Sequence, residues 1–466
     1  KYKEEIEEKL NELKKEINRV RKDLEIISVS PGSTFFNTSK WPYVRESNGV
    51  IKLDNTLFPE AIYVKTPLEK KLLSKLKETA RNGGGLIVLN GEKGIGKSTA
   101  AAIALWRMLK RGMVIVDEEQ KMKVYRPVVV QLDIVTGATP GFLDKLKQFI
   151  SIAKCKGYFP IFYVDPSRVG AYGLDIYDPE NFAKGLRSIV NKLKDKKVLN
   201  NSLVLIVLSN DQYRLVKDEL KDFPKIYADK ILELGEKKVE LLCNIIEKYS
   251  NCGQNIAQTL AKLISESFQD NYVLVAVLAA DMLKKNGCKV EDIKKSVEEA
   301  KGHVHKFILD YIWKGVLGGD VDLARRHAPL IVTTGLLGCH PLEWGKAVIK
   351  AFGYMPLDDI VEWFTQPLHG TIYEAIMKIT ESAVKRAFNI NYMKDICDGN
   401  SRDSCKLIEI CAEHLIEAKI PIRGYKNLDE VADKYAEKVA EKLIETSVLK
   451  IIIKKCIKQL NGEEYD

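Results

Sequence analysis

Residues 86–99 read Leu-Ile-Val-Leu-Asn-Gly-Glu-Lys-Gly-Ile-Gly-Lys-Ser-Thr. An apolar run leads through Gly91, Gly94 and Gly96 to a lysine and two hydroxyl residues, which fits the pattern G-x-x-x-x-G-K-[ST] of a phosphate-binding loop. Glycines let backbone N–H groups turn toward phosphate oxygens. The helix that follows such a loop adds the positive end of its dipole. The stretch therefore predicts a strand, a phosphate-binding loop and a helix.

The loop predicts ATP or ADP together with Mg²⁺ as the cofactors. Lys97 is expected to reach the β- and γ-phosphates, and the Ser98 hydroxyl to ligate the metal. The residues predicted to bind the nucleotide are Gly91, Gly94, Ile95, Gly96, Lys97, Ser98 and Thr99.

A second apolar segment, residues 161–165, ends in an acid. Asp165 is predicted to hold Mg²⁺ through its water shell. The alternative is an ordinary aspartate in the turn after a strand. Pro166 follows where a glutamate often activates the attacking water, so the sequence assigns no catalytic base.

A third apolar segment, residues 203–208, is followed by Ser-Asn-Asp. A polar residue at the end of this strand would orient water against the γ-phosphate. Asn210 is the first candidate for that role and Ser209 the second. The alternative is a turn that simply starts a loop.

Apolar strands alternate with helices from about residue 61, which indicates a parallel sheet covered on both faces. After residue 235 the pattern is almost wholly helical. The predicted fold class is an α/β P-loop NTPase with a parallel five-stranded sheet, followed by helical domains. The predicted strands are residues 86–90, 125–133, 161–165, 203–208 and 231–234.

Between about residues 61 and 380 the chain resembles the AAA+ superclass of P-loop ATPases, in particular its archaeal STAND and replication-initiator-like branches. This resemblance implies a five-stranded sheet, a helical lid and a winged-helix domain. It makes residues 91–98 the Walker A motif, Asp165 the Walker B acid and Asn210 the sensor 1 residue. It also places residues 63–67 near the adenine, and it makes His327 and His340 candidates for diphosphate contact, although a surface histidine is the alternative for both.

The sequence departs from the ring-forming members of that superclass, because residues 215–324 contain no arginine. Lysine supplies charge but not the planar guanidinium fork of an arginine finger. Hydrolysis activated by a neighbouring subunit is therefore less expected than a slow nucleotide switch. Arg168, Arg187 and Arg214 are the remaining finger candidates.

Apolar residues alternate at spacings of four and three from Ile6 to Ile27, a heptad pattern that predicts a coiled coil or a helix docked on its own domain. This segment is the candidate site of self-association or of a protein partner. The predicted domains are a helix (1–28), a linker (29–60), the ATPase domain (61–235), a helical lid (236–300), a winged-helix-like domain (301–380) and a C-terminal helical module (381–466).

Composition adds few constraints. The net charge of +9 comes from 73 basic and 64 acidic residues that are interspersed, so it permits DNA binding without requiring it. No apolar run is long enough to span a bilayer, and we expect a cytoplasmic protein. The abundance of Lys, Glu and Ile hints at a thermophile. For the cysteines we favour free thiols in a reducing cytoplasm, with a disulfide among Cys397, Cys405 and Cys411 as the alternative.

Residues 321–337 and 341–352 predict two helices in a helix-turn-helix arrangement. The second helix carries few side chains suited to reading bases. The leading hypothesis is therefore a Mg·ATP-binding, AAA+/STAND-like ATPase that acts as a nucleotide-dependent conformational switch. One alternative is a DNA-binding initiator-like or mobile-element ATPase. The other is an oligomeric assembly protein in which the nucleotide is structural.

Overall fold

The computed structural model describes residues 44–47, 50–53, 64–111, 113–118, 121–132, 141–166, 179–232, 236–338, 342–365, 370–390, 395–397, 403–420 and 428–445. The chain divides into two compact units. One comprises Lys1–Ser167 and Asp178–Asn244, and the other comprises Arg168–Tyr177 and Ile245–Asp466. No helix in the described part of the chain is long and apolar enough to cross a membrane. The heptad segment 1–28 lies outside the described residues, so its role stays a prediction.

The first unit alternates helices and strands, as its apolar pattern predicts. A short antiparallel hairpin, β1 (Val44–Ser47) and β2 (Val50–Leu53), lies within the segment expected to be a linker. The elements that follow are α1 (Pro67–Arg81), β3 (Gly85–Gly91), α2 (Lys97–Arg111), β4 (Val114–Glu118), β5 (Lys121–Gln131), α3 (Phe142–Cys155), β6 (Tyr158–Val164), α4 (Pro179–Leu193), α5 (Lys196–Leu199), β7 (Leu203–Ser209), α6 (Asn210–Leu215), β8 (Lys225–Tyr227) and α7 (Ala228–Leu232).

The sheet has six strands in the order β4-β5-β6-β7-β3-β8. Five neighbouring strands run parallel, namely β5, β6, β7, β3 and β8, whereas β4 pairs antiparallel with β5. The prediction of a purely parallel, five-stranded sheet is therefore wrong, and the sheet is mixed. The reason is the short connection, because only residues 119 and 120 separate β4 from β5. A two-residue connection can join antiparallel strands but not parallel ones.

The fifth parallel strand is also not where the sequence predicts it. Ile231 and Leu232 belong to helix α7, and the strand is β8, which pairs with β3. Strand β8 has three residues, of which only Ile226 is buried. A strand this short at the edge of a sheet shows no apolar run, so the pattern favoured the more apolar segment that follows.

The parallel strands are buried on both faces. Every residue of β7 is buried, which explains its continuous apolar sequence. Helices α1 and α2 lie against one face. The opposite face packs against α3 and α4, where Val88, Phe162 and Ile206 of three strands share a core with Leu146 and Leu186. This packing fixes the carboxyl ends of β3, β6 and β7 along one edge of the sheet.

All described elements of the second unit are helical. Helix α8 (Glu236–Ser250) begins in the first unit and ends in the second. A π-helical turn, Tyr311–Val316, continues α12, and a 3₁₀ turn, Asp403–Cys405, precedes α17. The remaining helices are α9 (Gln254–Ser267), α10 (Tyr272–Lys285), α11 (Glu291–Ala300), α12 (Val304–Asp310), α13 (Val321–Leu337), α14 (Leu342–Ala351), α15 (Asp358–Thr365), α16 (Gly370–Phe388), α17 (Lys406–Glu417) and α18 (Leu428–Glu445).

Helices α13 and α14 occupy the segments predicted for the helix-turn-helix. The described residues between 301 and 380 contain no strand that would form a wing. The winged-helix assignment, like the other domain boundaries, therefore stays a prediction.

The cysteines correct another expectation. Cys252 and Cys288 form one disulfide, and Cys397 and Cys405 form a second. The favoured interpretation of free thiols is wrong for these four residues. The alternative, a disulfide between two of Cys397, Cys405 and Cys411, includes the second pair without singling it out, and nothing in the sequence pointed to the pair that is separated by 36 residues. Cys411 is a buried free thiol.

The two disulfides predict different losses of stability. Replacing Cys288 with alanine opens a loop of 36 residues and is expected to cost about 2–4 kcal/mol of unfolding free energy. Cys405→Ala opens a loop of only 8 residues and should cost less, because loop-closure entropy grows with loop length. Chemical denaturation of both variants measures the difference. Cys155→Ala, at an exposed free thiol, is the control, and equal stability of Cys288→Ala and this control would contradict the assignment.

Candidate functional site

The phosphate-binding loop connects the buried strand β3 to helix α2. Gly94 and Gly96 have φ angles of 71° and 90°, in the left-handed region that favours glycine. Gly91 needs glycine for a different reason. A Cβ there would come within 3.0 Å of Ile95, Ala228 and Asp229. The loop thus has the glycine-dependent backbone that a phosphate-wrapping turn requires.

Lys97 is the first residue of α2 and is only 6% exposed. Its ammonium group donates a hydrogen bond to the backbone carbonyl of Glu92. The pKa of Lys97 is lowered from 10.5 to about 8, chiefly by burial, and the nearby positive charge of Lys93 acts in the same direction. The carboxylates of Asp165, Asp229 and Glu92 oppose this shift without cancelling it. Lys97 is therefore a buried cation that is incompletely compensated by negative charge.

Asp165 follows β6 directly and is buried. The hydroxyl of Tyr163 donates a hydrogen bond of 2.7 Å to Asp165 Oδ2 and so orients the carboxylate. Among the carboxylates that raise the pKa of Lys97, Asp165 has the largest effect. The structure therefore brings together Lys97 and Asp165, although 68 positions separate them in the sequence.

The structure distinguishes the two candidates after β7. The Ser209 side chain caps α6: it accepts from the Gln212 N–H, and the Gln212 side chain accepts from the Ser209 N–H. Asn210 instead faces the phosphate-binding loop. Its Nδ2 donates to Glu92 Oε1 at 2.6 Å and, at 3.4 Å, to Asp229 Oδ2. Asn210 thus lies at the loop, whereas a helix cap accounts for Ser209.

Asp229 is a site residue that the sequence did not single out. It lies two residues after β8, and its Oδ1 accepts a 2.8 Å hydrogen bond from the backbone N–H of Glu92. The signal for it would have been an acid at the carboxyl end of a strand beside β3. That signal was hidden because β8 itself was not recognised.

The residues predicted to ligate Mg²⁺ have suitable chemistry. Ser98 lies in the first turn of α2 beside Lys97, and Asp165 lies on the same side of the loop as the ammonium group it influences. A hydroxyl and a carboxylate are the oxygen donors that Mg²⁺ prefers, usually together with water and phosphate oxygens. The donor set fits the metal, and its ligation by these two residues stays a prediction.

Other expected site residues have local partners instead. Arg187 donates to the Leu215 carbonyl at 3.0 Å, and Arg214 pairs with Asp211 at 3.2 Å. Thr66, in the segment expected near the adenine, caps α1 by accepting from the Glu69 N–H. Arg168 lies outside the described residues.

His327 is buried in the second unit rather than exposed. Its Nδ1 lies 2.8 Å from the Leu323 carbonyl, and its Nε2 accepts from the Leu357 N–H at 3.2 Å. Burial lowers the pKa of His327, and both ring nitrogens have backbone partners. The surface-histidine interpretation is wrong for His327, and its contacts give it a structural role. His340 lies outside the described residues.

Comparison with known proteins gives distant structural likeness only. No protein-family model and no curated protein sequence matches the chain. Its structure is similar to that of the Aeropyrum pernix ORC2 protein, solved as ADPNP–ADP complexes, with a TM-score of 0.36 and 12% identity over 84% of this chain and 98% of that one. It is also similar to Drosophila ORC bound to DNA, with a TM-score of 0.33 and 11% identity over 86% and 96%.

A third structure, titled a DNA replication initiation factor, has a TM-score of 0.28 and 11% identity over 84% of this chain and 98% of that one. All three TM-scores are below 0.4. The site rests on the loop geometry and on the strand order.

The buried charge of Lys97 predicts a pH-dependent stability. Because the folded pKa is about 8 and the ordinary value is 10.5, the charged lysine destabilises the fold below pH 8, and this cost disappears as the pH rises from 8 to 10.5. Lys97→Met should therefore stabilise the nucleotide-free protein at pH 7 by about 2–3 kcal/mol, and the gain should shrink toward pH 10.5. Denaturation at a series of pH values tests this. A gain that does not change with pH would contradict it, and Lys70→Met, at an exposed lysine, is the control.

Proposed function

We propose that the chain binds Mg·ATP at the phosphate-binding loop and uses the nucleotide as a conformational switch. One observation carries the proposal: Lys97 is buried at the end of a glycine-dependent loop, and three carboxylates leave its pKa still below the ordinary value. A buried cation that is incompletely compensated is stabilised when an anion binds beside it, because folding has already removed the cation from water.

A polyphosphate is the anion that this loop fits best. The positive φ angles of Gly94 and Gly96 and the start of α2 present backbone N–H groups to a chain of phosphates. A single carboxylate or sulfate would use only part of the loop. The predicted Mg²⁺, when bound, would neutralise charge on the β- and γ-phosphate oxygens.

The contacts favour a slow switch over a fast motor. No glutamate follows Asp165, and Asn210 holds Glu92 and Asp229 through its amide nitrogen. The two described arginines considered as fingers, Arg187 and Arg214, are engaged within the first unit. Hydrolysis would then proceed with Lys97 stabilising charge on the γ-phosphate and Asn210 placing the water through its carbonyl oxygen.

The DNA-binding alternative has less support from the described contacts. Lys346, on the second helix of the pair, is held by Asp358 at 2.8 Å. Residues 320–365 carry four basic and six acidic side chains, a net charge of −2 if histidine is neutral. A surface that binds phosphate backbones is basic, so this segment is poorly matched to duplex DNA.

The site assignment predicts that Lys97→Ala abolishes ATP binding. The loss follows from removing the buried ammonium that is expected to reach the β- and γ-phosphates, and titration with a fluorescent ATP analogue measures it. Lys93→Ala removes the same charge from a half-buried position in the same loop and should weaken binding far less. Unchanged affinity in Lys97→Ala would refute the assignment.

Nucleotide affinity should also depend on pH. Bound phosphate favours the charged form of Lys97, whose pKa is about 8 in the nucleotide-free protein. Affinity is therefore expected to be constant below pH 8 and to fall by up to about tenfold per pH unit above it, since binding then requires uptake of a proton. Isothermal titration calorimetry between pH 6.5 and 9.5 would show the change in affinity near pH 8. Buffers of different ionisation enthalpy would show the proton uptake. A flat profile would contradict the assigned role of Lys97.

A further inference from the structure

Asp229 contacts the phosphate-binding loop at two points. Its Oδ1 accepts from the backbone N–H of Glu92 at 2.8 Å, and its Oδ2 lies 3.4 Å from Nδ2 of Asn210. Asn210 in turn donates to the Glu92 side chain. Glu92, the second residue of the loop motif, is therefore held by its backbone and by its side chain at once.

Close packing at Gly91 gives independent support for this arrangement. A Cβ on Gly91 would approach Ala228 Cβ and Asp229 Oδ1 to 3.0 Å each. The backbone angle of Gly91 is ordinary, so glycine is needed there for space and not for conformation. The start of α7 thus lies directly against the first residue of the loop motif.

We propose that Asp229 is a positioning residue that sets the conformation of the phosphate-binding loop for the nucleotide. This inference rests on the proposed function, because the loop is positioned for a ligand. Asp229 acts through Glu92 and Asn210, the two residues that its carboxylate contacts. By accepting from the Glu92 N–H, the carboxylate fixes the turn of the loop.

Asp229 also contributes to the charge around Lys97. The groups that face this ammonium are Asp165 after β6, Asp229 in α7, and Glu92 and Lys93 in the loop itself. Removing the charge of Asp229 takes away one of the three carboxylates that favour the charged lysine.

Three variants separate these contributions. Asp229→Ala removes both the hydrogen-bond acceptor and the charge. Asp229→Asn keeps an acceptor for the Glu92 N–H, but it removes the charge and replaces the oxygen that faces Asn210 Nδ2 with an amide nitrogen. Asp211→Asn is the matched control, since Asp211 follows Asn210 on α6 but is largely exposed and pairs with Arg214.

Affinity for a fluorescent ATP analogue, measured at pH 7 on the full chain, is the main test. Asp229→Ala should bind about tenfold to a hundredfold more weakly than wild type. Asp229→Asn, which still accepts from the Glu92 N–H, should recover most of the wild-type affinity, and Asp211→Asn should match wild type. The inference is overturned if Asp229→Ala binds like wild type, or if Asp229→Asn is as weak as Asp229→Ala.

Hydrogen exchange of the peptide covering residues 85–97, measured without nucleotide, tests the positioning contact separately. Exchange should be faster in Asp229→Ala and near the wild-type rate in Asp229→Asn, because asparagine still accepts from Glu92. Equal exchange in all variants would overturn the inference even if ATP binds. If wild type fails to bind the analogue, the proposed function fails, and this exchange difference still decides whether Asp229 holds the loop. Should Asp229→Ala not fold, Asp229→Ser takes its place in both measurements, because its shorter side chain withdraws the acceptor from the Glu92 N–H.

Discussion

The site depends on one buried ammonium group, that of Lys97. Three carboxylates stabilise its charge, yet burial still lowers its pKa to about 8. The protein therefore retains an unfavourable electrostatic term that a bound anion would relieve. Retaining such a term costs stability and is common where a charge is kept for binding or chemistry. The burial of this ammonium also explains the need for glycines, because the proposed polyphosphate could reach it only where the backbone N–H groups of the loop face the ligand.

The carboxylates reach Lys97 because of the order of the strands. Asp165 follows β6, and Asp229 follows β8, two strands that never touch each other in the sheet. Both are parallel to β3, so their carboxyl ends open on the same edge as the phosphate-binding loop. The antiparallel strand β4 lies at the far edge and contributes nothing to this site. The mixed character of the sheet therefore leaves the site geometry unchanged.

The parts of the fold that the sequence predicted are those specified by neighbouring residues. The loop is specified by eight consecutive positions, residues 91–98, and β6 and β7 show as apolar runs because both their faces are buried. Polar residues directly after such runs, Asp165 and Asn210, could be found by counting along the chain. Their placement at the loop followed, although their roles in binding and hydrolysis stay predictions.

What the sequence could not predict depends on contacts between distant segments. Strand β8 is defined by pairing with β3 and not by its own three residues, so Asp229 stayed hidden with it. The disulfide between Cys252 and Cys288 depends in the same way on how two helix connections meet. His327 follows two arginines in the sequence and was interpreted as exposed, whereas its position within α13 buries it and gives each ring nitrogen a backbone partner.

Strand β3 has β7 on one side and β8 on the other, and this explains how the loop after it is held. The residue that follows β7, Asn210, binds the side chain of Glu92, and Asp229, just beyond β8, binds its backbone. The loop is thus fixed from both neighbouring strands through one of its own residues. A change at the end of either strand would be transmitted to Lys97 through Glu92, whose carbonyl accepts the ammonium hydrogen bond. If a nucleotide binds, the Lys97 ammonium would leave the Glu92 carbonyl and bind a phosphate oxygen instead. Glu92 would therefore couple nucleotide binding to the fold, and the direction of a conformational switch would depend on which of the two strand ends moves.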